Sequence, residues 1–261
     1  MARIYPLFSS SSGNSHFIGT PDGGILIDAG VSCRRLVAAL RLNGIQPEAV
    51  RAVFITHDHS DHIGGLKTFE SCFGAPVYAS RVTLRKLLGK GLLPPECKCG
   101  ESDGGVEAGG FYVTSYKTPH DAEGSVGYKI HTPDGKTCCV CTDLGHVTAE
   151  IHSELCGSDL VLIESNYDES MLRNGSYPFI LKKRIASDYG HLSNIDSSRE
   201  VCSLIESGTR RIILGHLSRE NNTPIVAENT LMRTLSGKFV RNRDYMLRVA
   251  PVETKGLEVV F

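Results

Sequence analysis

The sequence predicts an α/β fold in which two β-sheets pack together and helices cover their outer faces. In the first third of the chain, short apolar runs alternate with segments of helical periodicity. The middle third is typical of successive strands, and the last third again mixes strands with helices. No linker-like stretch separates these parts, so we expect one domain over residues 1–261.

The first third contains three strand–helix units, each an apolar run followed by apolar residues at helical spacing. The predicted strands are Gly24–Asp28, Arg51–Thr56 and Pro76–Tyr78, and the predicted helices are Arg34–Leu42, His62–Phe73 and Arg81–Leu88. The serine-rich stretch Ser9–Ser15, which precedes these units, is a polar connector or a loop that offers hydroxyl and N–H groups to a phosphate.

The rest of the chain is dominated by strands. The predicted strands of the middle third are Phe111–Lys117, Ser125–Thr132, Lys136–Cys141 and Leu160–Glu164, with a hairpin turn at Pro133-Asp134-Gly135. The last third predicts helices around Tyr177–Ser187 and Asp196–Ser207, a strand at Arg211–Leu214, and two terminal strands paired with each other, Tyr245–Ala250 and Leu257–Phe261.

The composition is that of an ordinary globular protein, with 41% hydrophobic residues, 22% charged residues and a net charge of -1. No apolar run approaches the roughly 18 residues of a membrane span. The residues after Met1 lack a signal-peptide core, so we expect no membrane partner. Nine cysteines, an odd number, do not fit a disulfide framework and indicate reduced thiols in the cytoplasm.

The most informative segment is His-Asp-His-Ser-Asp-His-Ile-Gly-Gly at residues 57–65, directly after a β-branched strand. His57 and His59 lie two residues apart in extended chain, so their side chains point the same way. A helix that begins near Asp61 turns Asp61 and His62 back toward them. Imidazole and carboxylate groups suit divalent cations that prefer nitrogen and oxygen ligands, which favours a metal site over a polar surface loop.

The pattern His57-x-His59-x-Asp61-His62 resembles the signature of the metallo-β-lactamase-fold hydrolases. The other motifs of that superfamily follow in chain order, with matches at Asp28, His120, Asp143 and His216. The resemblance implies an αββα four-layer sandwich and two divalent metal ions, Zn, Mn or Fe. Asp143 stands where the common zinc β-lactamases have cysteine, which argues against antibiotic hydrolysis.

The resemblance also implies a role for each matching residue. One metal ion would be held by His57, His59 and His120, and the other by Asp61, His62 and His216. Asp143 would bridge the two ions, and Asp28 would support the ligand loop by hydrogen bonds. A hydroxide shared by the ions would be the nucleophile.

The segment Ser187-Asp188-Tyr189-Gly190-His191-Leu192-Ser193-Asn194 resembles a histidine-containing loop of tRNase Z and related nucleases. His191 is therefore a candidate general acid for the leaving oxygen, and the alternative is a loop histidine bonded to backbone. Together with Asp61 and Asp143 it completes the candidate catalytic residues. Glu164 and Asn166 follow an apolar strand and could orient the site.

Several further segments look like the YycJ/WalJ-type bacterial branch of the superfamily. They are Ser10–Ser15, Thr118–Ala122, Glu164–Asp168, the His191 segment and Leu214–Asn222. This resemblance implies a 5′→3′ exonuclease on double-stranded DNA. Ser12, Asn14 and Ser193 are then candidate contacts to the substrate phosphate.

Two basic clusters favour a nucleic-acid partner in an otherwise neutral chain. Residues 231–250 hold five basic residues against one acidic residue, and Lys182-Lys183-Arg184 precedes the His191 segment. Both clusters could equally be solvated helix faces. Two other functions stay open. The protein could hydrolyse a small phosphodiester or thioester, or it could be a regulatory binding protein that itself contains metal. The sequence makes no prediction of the oligomeric state.

Overall fold

The computed structural model describes all residues, Met1–Phe261. Its fourteen strands form two seven-stranded sheets. The first sheet contains β1 (Arg3–Ser10), β2 (Gly13–Thr20), β3 (Gly23–Ile27), β4 (Val50–Ile55), β5 (Val77–Ala79), β6 (Cys99–Glu101) and β14 (Val259–Val260). The second contains β7 (Val106–Ala108), β8 (Phe111–Lys117), β9 (Val126–His131), β10 (Thr137–Cys141), β11 (Leu160–Glu164), β12 (Arg211–Gly215) and β13 (Met246–Val249).

Nine α-helices accompany the sheets. The helices that follow strands of the first sheet are α1 (Cys33–Leu42), α2 (Ser60–Ile63), α3 (Leu66–Phe73) and α4 (Arg81–Gly89). The helices of the second half are α5 (Ala149–Leu155), α6 (Glu169–Asn174), α7 (Phe179–Ile185), α8 (Asn194–Glu206) and α9 (Pro224–Leu235). None of them is both long enough and apolar enough to cross a bilayer.

Three buried apolar clusters show that the elements form four layers. One lies between the sheets and includes Ile25 and Ile27 of β3. Leu26, whose side chain points to the other face of β3, belongs to a second cluster with residues of α1 and α3. The third lies between the second sheet and helices α5, α8 and α9. The predicted αββα sandwich is confirmed.

The strand orders are β14-β1-β2-β3-β4-β5-β6 and β13-β12-β11-β10-β9-β8-β7. In each sheet one half is antiparallel and the other half parallel, with β3 to β6 parallel in the first sheet and β10 to β13 parallel in the second. Ligand sites in such sheets lie outside the carboxyl ends of the parallel strands. Here Asp28, His57, Asp143, Glu164 and His216 all stand at or just beyond such ends.

Two expectations need correction. The terminal strands are not paired with each other, because β13 joins β12 while β14 crosses to pair with β1 in the first sheet. The single helix predicted over His62–Phe73 is divided into α2 and α3 at Gly64 and Gly65. The stretch Ser9–Ser15 does connect two strands, as the turn of the β1–β2 hairpin in which Ser9 pairs with Asn14, and this agrees with one of its two interpretations.

Candidate metal centre

The seven residues predicted as metal ligands lie in one cluster. Ligand atoms lie within 4.8 Å of one another in three sets: His57, His59 and His120; Asp61, His62 and His216; and His57, His62 and Asp143. Asp143 lies between the first two sets, with Oδ2 3.4 Å from His62 Nε2 and Oδ1 3.9 Å from His120 Nε2. The sequence positions from 57 to 216 thus converge on one small volume.

Four nitrogen and oxygen atoms that could bind a metal are buried in this volume and have no hydrogen-bond partner. They are Nε2 of His57, Nε2 of His120, Nε2 of His216 and Oδ2 of Asp143. Buried polar atoms are almost always paired, so a convergent set of unpaired lone pairs needs an explanation. Divalent cations would satisfy all four atoms, and the residues present therefore fit a metal site.

The electrostatics of the cluster also favour cations. Burial and the neighbouring His62 and His120 rings hold the pKa of His57 well below its usual value, which leaves a neutral imidazole. Although burial opposes it, Asp143 and Glu164 raise the pKa of His216 to about 9. Bound metal ions would replace the proton that the neighbouring carboxylates stabilise on His216.

Each buried histidine of the cluster is held through its Nδ1 atom. The Nδ1 atoms lie 2.8 Å from Asp28 Oδ2 for His62, 3.0 Å from Thr56 Oγ1 for His57, 3.1 Å from the Gly190 carbonyl for His120, and 2.7 Å from Glu164 Oε1 for His216. These contacts turn every Nε2 toward the cluster and fix the ring orientations before any ion binds.

The backbone at the site is strained. Four non-glycine residues have a positive φ, and three of them are site residues: Asp28 at 62°, Asp143 at 59° and His216 at 52°. The left-handed region is unfavourable for residues with a Cβ and persists where the surrounding structure enforces it. Each of the three follows a strand and turns its side chain into the cluster.

Glu164 has contacts that the sequence did not reveal. Its Oε1 accepts hydrogen bonds from Nδ1 of both His191 and His216, at 2.8 and 2.7 Å. Its Oε2 accepts from the backbone N–H groups of Leu144 and Leu192 at 3.0 and 3.2 Å. The sequence predicted that Glu164 could orient the site, and the structure adds which groups it contacts. Its strand lies between those that lead to Asp143 and His216.

His191 lies at the open side of the cluster. Its ring centroid is 5.3 Å from the rings of both His120 and His216, and its side chain is 20% exposed. Since Nδ1 is bonded to Glu164, the side chain is not bonded to backbone, and Nε2 is left for a substrate. Although burial opposes it, the charges of His191 and His216 hold the pKa of Glu164 below its usual value.

The three candidate phosphate contacts differ in their surroundings. Ser12 is exposed, and its hydroxyl lies 2.9 Å from that of Ser10. Asn14 is buried, and its amide nitrogen lies 3.3 Å from Asp61 Oδ2 and 3.1 Å from His62 Nε2. The prediction that Ser193 contacts the substrate phosphate needs correction. Its buried hydroxyl caps α8, since it accepts from the N–H of Asp196 and donates to the Asp196 carboxylate.

Much of the predicted basic charge is paired within the protein. Arg241 and Arg243 form ion pairs with Glu228 and Asp244. Arg184 pairs with Asp121, and Lys182 donates to the carbonyls of Arg173 and Gly175. In the cluster Lys182-Lys183-Arg184, Lys183 is the residue left for an external anion.

Gly30 allows the segment that carries the candidate ligand Asp61 to lie directly against the backbone that follows β3. Its N–H donates to the Asn14 carbonyl at 2.8 Å, and a Cβ on Gly30 would lie 1.6 Å from the Asp61 carbonyl oxygen. We expect Gly30→Ala to displace the Asp61 segment and to lower the free energy of unfolding by about 3 kcal/mol. Urea unfolding and a metal titration would measure this, with metal affinity reduced at least about tenfold.

Gly89→Ala is the matched control for this substitution, because nothing lies within 4 Å of a Cβ at Gly89. That variant should keep both the stability and the metal affinity of the parent protein. Unchanged unfolding and metal binding in Gly30→Ala would show that the close approach at Gly30 is not required.

Comparisons with known proteins agree with this geometry. Residues 10–216 match the model of the metallo-beta-lactamase superfamily. The chain is 35% identical over 235 residues to exodeoxyribonuclease WalJ of Streptococcus pneumoniae, which covers 88% of this chain and 87% of that protein. It is 34% identical over 236 residues to exodeoxyribonuclease YycJ of Bacillus anthracis, covering 89% and 88%.

Among solved structures, the metallo-beta-lactamase fold protein YhfI of Bacillus subtilis superposes with a TM-score of 0.73 at 16% identity. The superposition covers 100% of both chains. This likeness shows that the fold extends over the whole molecule.

Proposed function

The chain belongs to the metallo-β-lactamase superfamily and is a metal-dependent hydrolase of that group, and from this premise we propose that it is an exodeoxyribonuclease acting on double-stranded DNA in the 5′→3′ direction. The observation that carries the proposal is that the seven candidate metal ligands converge beside His191, a histidine whose Nε2 makes no hydrogen bond. The names of the two relatives that match most of the chain support the substrate.

We propose that two divalent cations bind, one at His57, His59 and His120 and one at Asp61, His62 and His216, with Asp143 shared between them. Bound cations would lower the pKa of a water nucleophile and neutralise the charge that develops on the phosphate. Zn, Mn and Fe all suit such nitrogen and oxygen ligands.

The residues of the chain itself orient the reaction. Glu164 accepts a hydrogen bond from His191 Nδ1 and fixes the ring, so that Nε2 is placed to give a proton to the leaving oxygen. Asn14 holds Asp61 in place from the β1–β2 hairpin by donating to its Oδ2. Lys183 supplies a positive charge for a DNA phosphate near the same segment. The nine free cysteines support the cytoplasm as the place of action.

The test is degradation of a linear duplex labelled at either the 5′ or the 3′ end. Metal-stripped protein should leave the duplex intact, and added Mn²⁺ or Zn²⁺ should restore degradation. The 5′ label should appear early in the shortest products, while the 3′ label stays in long fragments. A closed circular duplex is the control and should remain uncut, because it has no ends.

Other outcomes would point to the alternative functions. An intact duplex together with cleavage of bis(p-nitrophenyl) phosphate or a thioester would overturn the DNA substrate and leave a small-molecule hydrolase. Retention of the duplex without hydrolysis of any substrate would indicate a metal-containing binding protein. Early release of the 3′ label would reverse the proposed polarity.

A further inference from the structure

A cavity of about 410 Å³ lies directly beside the metal centre. His120 forms part of its wall, and Tyr189 forms another part. Its volume falls in the range of roughly 300 to 1,000 Å³ in which proteins bind small organic groups. The proposed hydrolysis uses none of this space, although a group in it would be next to the reacting phosphate.

Tyr189 is an exposed aromatic residue held at a fixed place. Its side chain is 62% exposed, and no hydrogen bond involves its hydroxyl. The backbone on either side is fixed, because the Gly190 carbonyl accepts from His120 Nδ1 at 3.1 Å and the Asp188 carbonyl accepts from His146 Nδ1 at 3.1 Å. The structure therefore presents an apolar ring to solvent beside a metal ligand.

The charges of the cavity indicate which part of a nucleotide it would take. Arg81 and Lys117 are balanced by Asp103 and Glu123, so the lining carries no excess positive charge to attract a phosphate. The remaining walls are largely apolar or uncharged. A flat group with an apolar face and polar edges suits such a space, and a nucleobase is such a group.

A second exposed aromatic residue lies earlier in the same segment. Phe179, at the start of α7, is 69% exposed, and Lys183 Nζ lies 4.8 Å from its ring centroid. Exposed rings interleaved with an available cation are typical of surfaces that bind single-stranded nucleic acid. The segment from Phe179 to His191 thus begins with the exposed Phe179 ring and Lys183 and ends at the metal centre.

We propose that the cavity and Tyr189 form a subsite for the unpaired base next to the scissile phosphate, with the Tyr189 ring stacked on that base. The inference rests on the proposed function, since it requires a polynucleotide substrate. Stacking is tolerant of sequence because every base has a π-face. The subsite would therefore let the enzyme separate and hold a terminal nucleotide of any sequence.

The test compares kcat/KM of wild type, Tyr189→Ala and Tyr189→Phe on two duplexes. One duplex is unmodified, and the other carries tetrahydrofuran abasic residues at its two 5′-terminal positions. On the unmodified duplex, Tyr189→Ala should lose about tenfold or more in kcat/KM, and Tyr189→Phe should keep most of it. On the abasic duplex, wild type should lose a similar factor and Tyr189→Ala should lose nothing further.

The control is Tyr112→Ala, which removes another exposed tyrosine at the far end of β8 and should leave kcat/KM unchanged. Metal content and thermal unfolding should be the same in all variants. Equal kcat/KM of wild type and Tyr189→Ala on the unmodified duplex would overturn the subsite and leave the nuclease intact. No cleavage of DNA by wild type would overturn the proposed function and the subsite with it.

Discussion

Replacing Asp143 with asparagine should reduce DNA hydrolysis on the order of a thousandfold or more. The Asp143 carboxylate lies within 4 Å of a histidine of each ligand set, and it is almost fully buried. Although burial opposes it, the charges of His216 and His62 hold the pKa of Asp143 below its usual value, so the carboxylate is ionised. An uncharged amide at this position would hold the cations far less strongly.

Asparagine is a sharper choice than alanine at this position. The φ of Asp143 is 59°, and asparagine tolerates the left-handed region, whereas alanine would add backbone strain of about 1 to 2 kcal/mol. Since the amide also matches the carboxylate in size, the loss of activity can be assigned to the loss of charge. Rates on the labelled duplex, metal content by atomic absorption and thermal unfolding would be measured together.

Asp22→Asn makes the same change at an exposed turn and should retain full activity. Hydrolysis by Asp143→Asn within a few fold of wild type would show that the carboxylate is not shared between the ions. If Asp143→Asn binds DNA as wild type does but does not cut it, the carboxylate is required for hydrolysis and not for DNA binding.

Glu164→Gln should lower kcat and metal affinity by about 10- to 100-fold each. One carboxylate oxygen accepts from Nδ1 of His191 and of His216, so the substitution weakens a candidate metal ligand and the candidate general acid at once. An amide has a single acceptor oxygen, while Glu164 accepts from four N–H groups in all. At least one of these buried donors would be left without its partner.

Activity measured over a range of metal concentrations separates the two effects. Saturating metal should restore the part of the loss that comes from His216, and the part that remains should come from His191. His191→Ala combined with Glu164→Gln should then cost little more than His191→Ala alone at saturating metal.

The matched control is Glu200→Gln. Glu200 Oε1 also lies 2.8 Å from a histidine Nδ1, that of His152, but this pair lies on α5 and α8 outside the site. This variant should keep wild-type kcat and metal affinity. Full activity of Glu164→Gln at saturating metal would show that His191 does not depend on this carboxylate.

The sequence predicted most of the architecture because the strands are apolar runs and the helices have clear periodicity. Four of the candidate ligands could be found because they lie within residues 57–62. The partners of the terminal strands could not be predicted, since a pattern of extended residues does not say which sheet edge is open. In the structure, β13 lies at an edge of the second sheet and β14 at an edge of the first.

Other features of the site depend on contacts between distant segments. The hairpin turn around Ser9–Ser15 has the polar composition of an exposed loop, yet Ser9, Ser10, Asn14 and Ser15 are buried. They are buried because they meet the ends of other strands, as when Ser9 Oγ accepts from the N–H of His216 at 2.8 Å. Ser193 differs from these residues, because its capping partner Asp196 lies only three residues along the chain.

The division of the candidate ligands between two sheets has a consequence for synthesis of the protein. His57, His59, Asp61 and His62 follow a strand of the first sheet, whereas Asp143 and His216 follow strands of the second. A growing chain on the ribosome therefore carries a partial ligand set until residue 216 has emerged and the two sheets have met. Strand β14 follows every strand of the second sheet along the chain and yet pairs with β1 in the first sheet, so the first sheet gains this strand only after the second has been made. A fragment that ends before residue 216 lacks a candidate ligand, and we expect no hydrolysis from it.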